Sequence, residues 1–349
     1  MIEDDLRAAF ARHEALTPPT GPLRAAIDRT VVRRRRRRLR LRLGGTALAL
    51  VAATLGGFTT LAPRPPVPSG QVGASASPTP TGALNMLLLG LDAAGGGRRA
   101  DSVLLVHVPA DRSRLYLVSF PRDLVVAIPG RGRDKLNASF TFGAGPAGDL
   151  AAGYRVTRQV VTQLTGVRID AGAVLTYPTT RKLTDAVGGV PVCLPVTVRS
   201  VHSGRRFPAG CQQLDGAAAV DLLRQRYGLR DGGLDRDRNA GRYAAGLLRR
   251  VRDEGVLTDP VRLSRLLAQV GPGLVTDTGE MSLPALVSVA GKAATAEPVA
   301  VGLPVRFEDW GPHGFELDAA LVASFLAALR EDRLGEWTTA HPDQVTSLR

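Results

Sequence analysis

The sequence predicts an α/β (α+β) fold, a central mixed sheet packed between helices, preceded by one transmembrane helix. Three observations carry this. Between residues 85 and 120 three apolar runs of strand length, NMLLLGL, SVLLVHVP and LYLVSF, follow one another with short polar breaks. Uninterrupted apolar runs of that length mark strands covered on both faces. Downstream, helical and strand patterns alternate, which sets helices against a sheet. Upstream, residues 43–62 run LGGTALALVAATLGGFTTLA without a charge, the length a helix needs to cross a hydrocarbon core.

With 349 residues and 44% apolar side chains, the chain can bury a sizeable core, which excludes disorder throughout. The formal charge of +13 looks at first like a nucleic-acid signal. Eight arginines lie between Arg33 and Arg42, however, leaving +5 elsewhere (13 − 8). The excess is one local cluster, and no nucleic-acid partner is expected.

That cluster, RRRRRRLRLR, ends where the apolar run begins. A basic flank on one side only places the N-terminus in the cytoplasm. The expected layout is a basic cytoplasmic tail (1–42), a transmembrane helix (43–62), a Pro/Ser/Thr linker (63–82) and an extracytoplasmic domain from residue 83, giving a single-pass protein of the cell membrane. A cleavable signal peptide has an apolar core of only about 7–15 residues. The anchor is therefore expected to stay, with Ala74-Ser75-Ala76 as the stretch that resembles a processing site.

In the outer domain the first three strands end or begin at charge: at Asp92, at Arg98-Arg99-Ala100-Asp101, and at Pro121-Arg122-Asp123. Such tips place Asp and Arg at the rim of the sheet, where ligands of open α/β sheets bind. Residues 149–164 carry Leu150, Tyr154, Val160, Val161 and Leu164 at helical spacing, closed by Gly166. IDAGAVLTY reads as strand, TRKLTDAV as a short helix and VPVCLPV as strand. Residues 215–226 and 238–254 read as helices, and Asp259-Pro260 opens another.

Cys193 and Cys211 lie 18 apart on what read as two short strands joined by a turn. Outside the membrane they are expected to form a disulfide contributing about 3 kcal/mol by loop entropy; two buried thiols are the alternative. No Cys/His spacing suggests zinc.

LLLGLD (87–92), RADS (99–102), VSFPRDL (118–124), KLNASFTFG (135–143), DAVGGVPVCLP (185–195) and LDGAAAVDLLRQR (214–226), six pieces in order behind one anchor, resemble the LytR-CpsA-Psr family of cell-wall glycopolymer ligases. The resemblance covers residues 85 to about 250, so that 83–255 is expected to be the catalytic domain. It implies a phosphotransferase that moves a glycopolymer from a polyprenyl-pyrophosphate carrier to peptidoglycan. Asp92 and Asp101 stand at its metal-binding carboxylates, for Mg2+ or Mn2+. Arg122, Arg224 and Arg226 stand at its pyrophosphate ligands, with Arg99 beside the second aspartate and Arg236 at the start of a further Arg-x-x-Arg-Gln segment. The five residues Asp92, Asp101, Arg122, Arg224 and Arg226 form the catalytic set so implied.

The chemistry of these residue types agrees. Mg2+ is commonly held by one or two carboxylates together with substrate phosphates, and guanidinium groups take phosphate oxygens in pairs. Arg224 and Arg226, two apart, converge only if the helix ends there, and Tyr227-Gly228 supplies such an ending. The proton acceptor stays open among Asp92, Asp101 and Asp123.

The chain departs from the pattern after Arg236. Asn239 stands at the second arginine and Ala240 at the glutamine, which removes two phosphate contacts; Arg238 or Arg242 are the nearby substitutes. Residues 256–349, with a helix at 259–270, a strand at 299–305 and a helix at 318–330, are expected to complete or append to the domain. The competing readings are a module that binds polyprenyl lipid or polymer without transfer, and a membrane-bound transcriptional regulator or attenuator acting through residues 1–38. Oligomeric state is left open.

Overall fold

The computed structural model describes residues 81–92, 99–307 and 314–349. The basic tail, the 43–62 span, Arg98 and nearly all of the 63–82 linker lie outside the described residues. Among the described residues no helix is long and apolar enough to cross a membrane.

The chain enters with β1 (Leu84–Asp92), β2 (Arg99–Val108) and β3 (Tyr116–Phe120), followed by a small hairpin of β4 (Val125–Ile128) and β5 (Gly132–Lys135). Then come α1 (Leu136–Ala144), α2 (Leu150–Thr165), β6 (Ala171–Thr176), α3 (Tyr177–Ala186) and β7 (Val190–Leu194). After a two-residue pair, β8 (Val198–Arg199) and β9 (Arg206–Phe207), come β10 (Gly210–Leu214), α4 (Gly216–Arg224), α5 (Gly233–Asp253) and α6 (Pro260–Val270). The C-terminal part holds β11 (Leu274–Asp277), α7 (Leu283–Ala293), β12 (Val299–Gly302), β13 (Val305–Phe307), β14 (Phe315–Leu317), α8 (Val322–Arg330), α9 (Leu334–Ala340) and β15 (Val345–Thr346).

Seven strands form one mixed sheet in the order β11-β6-β1-β2-β3-β12-β15. β1 runs parallel to β6 and antiparallel to β2, β2 antiparallel to β3, and β3 parallel to β12. β1, β3, β6 and β12 therefore all end at one edge. The apolar strand runs are covered on both faces. Leu87, Leu89, Val118 and Phe120 pack with Phe140, Tyr154, Phe325 and Leu329 of α1, α2 and α8. Leu104, Val106 and Leu117 pack with Ala245 of α5 and Val289 of α7. Strands β11, β12 and β15, all from beyond residue 256, are members of this sheet. Asp332, between α8 and α9, also binds the C-terminal part to β2, accepting from the Ala110 amide and meeting the ring of His107, both at 2.8 Å.

Helix ends follow local chemistry. Asp149 accepts from the Ala151 and Ala152 amides to start α2, and Gly166 closes it in the left-handed conformation. Thr176 starts α3 by accepting from the Thr179 amide, and Asp215 starts α4 through Ala218. α5 comes so close to β7 that a Cβ on Gly246 would clash with the Pro191 carbonyl oxygen.

Several expected bounds shift. α4 stops at Arg224, two residues earlier than expected, because Gln225 turns extended (φ −66, ψ 125). α5 begins at Gly233 and not at Arg238, its first turn held by the Asp231 amide donating to Asp235 Oδ2 at 2.9 Å. The expected 299–305 strand is two strands, broken at Leu303-Pro304, since proline has no amide to give a ladder. The 318–330 helix starts only at Val322. β7 and β10 pair antiparallel with Cys193 opposite Cys211, and the two sulfurs are bonded.

Candidate active site at the carboxyl edge of the sheet

The common edge of β1, β3 and β6 collects polar side chains from three strand ends. β1 ends on Asp92, β3 is followed by Arg122, and β6 is followed by Tyr177. The antiparallel β2 begins at the same edge and brings Arg99 and Asp101. Between β1 and β2 the register slips: Gly90 faces Ser102 while Leu91 faces Ala100, so Asp101 has no partner in the ladder. A bulge re-aims the side chain of its extra residue. Here it lets Asp101 be reached by two donors from other elements.

The first donor is Arg122, a buried guanidinium whose Nη1 bonds Asp101 Oδ1. Its Nε donates to Asp123 Oδ2 at 3.3 Å. Asp123 Oδ1 in turn meets Lys135 Nζ at 3.5 Å and accepts from Asn137 Nδ2 at 3.4 Å. Burial raises the Asp123 carboxyl, but the Arg122 and Lys135 charges outweigh it and hold the group below the usual carboxylate range. Burial likewise works against the charged form of Arg122, and Asp123 and Asp101 overcome it.

The second donor is Tyr177, whose hydroxyl bonds Asp101 Oδ2 at 3.0 Å. Burial, then the Asp101 charge, pushes this phenol far up, so it stays protonated and donating. The Asp92 charge reaches the same phenol. Arg224 lies over the Tyr177 ring with its guanidinium carbon 5.7 Å from the centroid, inside cation–π range.

Arg236 enters from the first turns of α5. It is 3% exposed, and its Nη2 donates to Asp237 Oδ1 at 3.2 Å, while Nε and Nη1 have no hydrogen-bond partner. A buried guanidinium with two unused donors is costly unless something anionic completes it. Its neighbour Asp237 is wholly buried, and that burial pushes its carboxyl up to about 7 against the pull of Arg236.

Two spaces meet at this cluster. On the α3–α4–α5 side of the sheet a cavity of about 100 Å³ is walled by Leu88, Leu104, Leu175, Leu223, Ala240 and Leu247, with Asp101, Tyr177 and Arg236 also on its wall. On the other side of Arg122 opens a charged cleft of about 810 Å³ lined by Arg99, Arg122, Arg131 and Lys135 among others. Arg122 and Asp101 thus stand between an apolar cavity and a basic cleft.

Of the residues singled out in the sequence, Asp101, Arg122, Arg224 and Arg236 come together here, Asp92 sits two residues along the hairpin, and Arg99 lines the cleft. Arg226 is exposed, and its guanidinium lies 5.9 Å from the ring of the adjacent Tyr227. Gln225, extended and buried, stands between Arg226 and Arg224. The nearby substitutes are committed elsewhere. Arg238 is held by Asp231 and Asp235, and Arg242 donates to Asn239 Oδ1 at 2.9 Å and to the Ser347 carbonyl at 3.1 Å. Ala240 lines the cavity.

Tyr177, Lys135, Asn137 and Asp237 escaped the sequence reading. Tyr177 carried a usable signal, since it follows a strand end as Arg122 does.

Among the described residues no three His, Cys, Asp or Glu side chains converge as a metal cage. Two carboxylates at one hairpin end fit a different requirement, that of Mg2+, which takes one or two carboxylates and completes its shell with phosphate and water.

The sequence profile of the LytR_cpsA_psr family matches residues 64–324. Cell wall biosynthesis protein LcpA of Corynebacterium glutamicum is 32% identical over 265 residues, 70% of this chain and 50% of that protein. The polyisoprenyl-teichoic acid–peptidoglycan teichoic acid transferase TagU of Oceanobacillus iheyensis is 32% identical over 149 residues, 41% of this chain and 44% of that protein. The match thus spans half or less of the length of these two relatives. Among solved structures, B. subtilis TagV superposes with a TM-score of 0.58 at 18% identity, covering 73% of this chain and 98% of that one. With six of the seven sheet strands and the edge cluster inside the matched stretch, the chain belongs to the LytR_cpsA_psr family.

Proposed function

We propose that the chain is a phosphotransferase that moves a glycopolymer from a polyprenyl-pyrophosphate carrier to peptidoglycan, outside a membrane in which residues 43–62 anchor it. The observation that carries this reading is the meeting of an apolar cavity and a basic cleft at the Asp101–Arg122 pair. A ligand with an apolar chain, a diphosphate and a sugar has that order of chemistry. Family membership and the similarity to TagU, a teichoic acid transferase, support the reaction class.

In this mechanism an acceptor hydroxyl oxygen attacks the sugar-linked phosphorus, a new P–O bond forms, and the bond to the bridging oxygen breaks to release polyprenyl phosphate. Such transfers rely on positioning and charge stabilisation. Arg122 and Arg224 neutralise charge on the phosphates, and Arg236 offers the two donors that lack a partner. Mg2+ held by Asp92 and Asp101 would supply further neutralisation of phosphate oxygens. Tyr177 keeps Asp101 oriented through its hydroxyl. The acceptor proton passes to a carboxylate of the cluster. The apolar wall of the cavity would take the start of the polyprenyl chain and exclude water from the phosphates.

The test is transfer by the full chain in lipid vesicles, with a polyprenyl-diphosphate glycan, Mg2+ and peptidoglycan. Phosphodiester product is expected with the wild type and not with Arg122→Ala. Lipid binding without product would leave a binding module; turnover persisting in Asp92→Ala and Asp101→Ala would remove the metal assignment.

A further inference from the structure

The cleft beyond Arg122 holds an aromatic ring that phosphate binding does not need. α1 carries two phenylalanines two residues apart. Phe140 is fully buried in the core, while Phe142 is 42% exposed and lines the cleft. Scattered exposed apolar residues are ordinary, so exposure alone means little. Its surroundings set Phe142 apart. Arg131 sits 5.9 Å from the ring centroid and is itself fixed by its Nε donating to Asp134 Oδ2 at 2.7 Å. Asp134, Lys135, Asn137 and Arg99 line the same space.

A sugar ring presents two chemistries. Its hydroxyls need donors and acceptors around the rim, and the C–H bonds of its face carry partial positive charge that suits the negative face of an aromatic ring. This cleft supplies both: a carboxylate acceptor, an amide that can donate and accept, cationic donors and one exposed ring. A purely phosphate-binding surface would have the cations without the ring. Arg122 belongs to the cleft and also bonds Asp101, which lines the apolar cavity. The ring therefore lies on the side of the phosphate-gripping pair away from the apolar cavity.

We propose that this cleft is a sugar subsite, with Phe142 stacking on a pyranose ring next to the phosphate and Arg131 and Asp134 fixing the stack. The inference rests on the phosphotransfer reading only for the source of the sugar, which is either the carrier-linked glycan or the wall saccharide.

The experiment measures binding of three probes to the full chain in detergent: geranylgeranyl diphosphate without sugar, a polyprenyl-diphosphate disaccharide, and a soluble lipid-free peptidoglycan saccharide. Phe142→Ala is expected to weaken a sugar-bearing probe about tenfold relative to geranylgeranyl diphosphate, the scale of one lost aromatic contact, and Phe142→Tyr to restore it. A loss confined to the disaccharide diphosphate upholds the subsite and assigns the carrier-linked sugar; a loss with the lipid-free saccharide upholds it and assigns the acceptor. Equal weakening of sugar-free and sugar-bearing probes, or no weakening of any, overturns it. Should geranylgeranyl diphosphate fail to bind the wild type, the phosphotransfer reading falls. The cleft is then decided by the lipid-free saccharide alone, upheld by a tenfold loss in Phe142→Ala and overturned by none.

Discussion

The hydroxyl of Tyr177 donates to Asp101 Oδ2 at 3.0 Å, and Asp101 Oδ1 is taken by Arg122. One carboxylate thereby joins two strand ends that are 55 residues apart in sequence (177 − 122). Since burial and the Asp101 charge push the phenol up, the bond persists across the physiological range. Tyr177→Phe removes a hydrogen bond to a charged acceptor, worth about 1.5–3 kcal/mol, so transfer is expected to fall about 10- to 100-fold in kcat/KM. The ring stays beneath Arg224, so Tyr177→Ala should cost more. Equal rates for the Phe variant and the wild type would contradict the role.

Asp101 and Asp92 differ in what else they hold. Asp101→Asn weakens the anchor of Arg122 as well as the proposed ion site, whereas Asp92→Asn spares the Arg122 bond. Both are expected to lower turnover by about 100-fold and to move the Mg2+ midpoint upward by about tenfold, with the larger loss at Asp101. A Mg2+ titration of transfer by each variant checks this; unchanged midpoints would remove the ion from the site.

Asp237 makes stability depend on pH. Its carboxyl is pushed up to about 7 by burial, against an ordinary value near about 4. Between those values the folded chain keeps a proton that the unfolded chain has lost, so this group's stabilisation is full below about pH 4 and is lost as pH rises through about 7. Asp237→Asn cannot titrate. The stability difference between variant and wild type, measured by urea unfolding, should grow in the variant's favour over that window and level off above it. A difference independent of pH would show that the carboxyl titrates at its ordinary value.

Cys193 and Cys211 close a loop of sequence separation 18 on facing strands. By loop entropy the bond contributes about 3 kcal/mol. Cys193→Ser with Cys211→Ser is expected to lower Tm by several degrees and to abolish the effect of reductant on Tm. A reductant effect surviving in the double variant would point to another cause.

Much of this fold was legible because each strand of the first hairpin pair is a solid apolar run and α2, α3, α4 and α6 start on Asp or Thr. What escaped depended on contacts distant in sequence. The bulge that frees Asp101 from the ladder comes from the register shift between Gly90 and Leu91, which two apolar strands do not announce. The early start of α5 came from glycines at 232 and 233 that read as loop, although Asp231 and Asp235 stabilise the first turn. Pro304 split a strand that hydropathy alone makes continuous. Tyr177 looked like the last residue of a strand, whereas the strand ends at Thr176 and the phenol just beyond it reaches Asp101.

In the proposed function the buried donors of Arg236 and the cavity beside it hold the head and first carbons of a lipid diphosphate. Titration of geranylgeranyl diphosphate into the full chain, compared with Ala240→Leu and Arg236→Gln, tests both halves together. The leucine fills the cavity wall without touching charge, and the glutamine removes charge while leaving the wall intact. Saturable binding to the wild type and at least tenfold weakening in each variant is the expected result; wild-type affinity in Ala240→Leu would contradict the account.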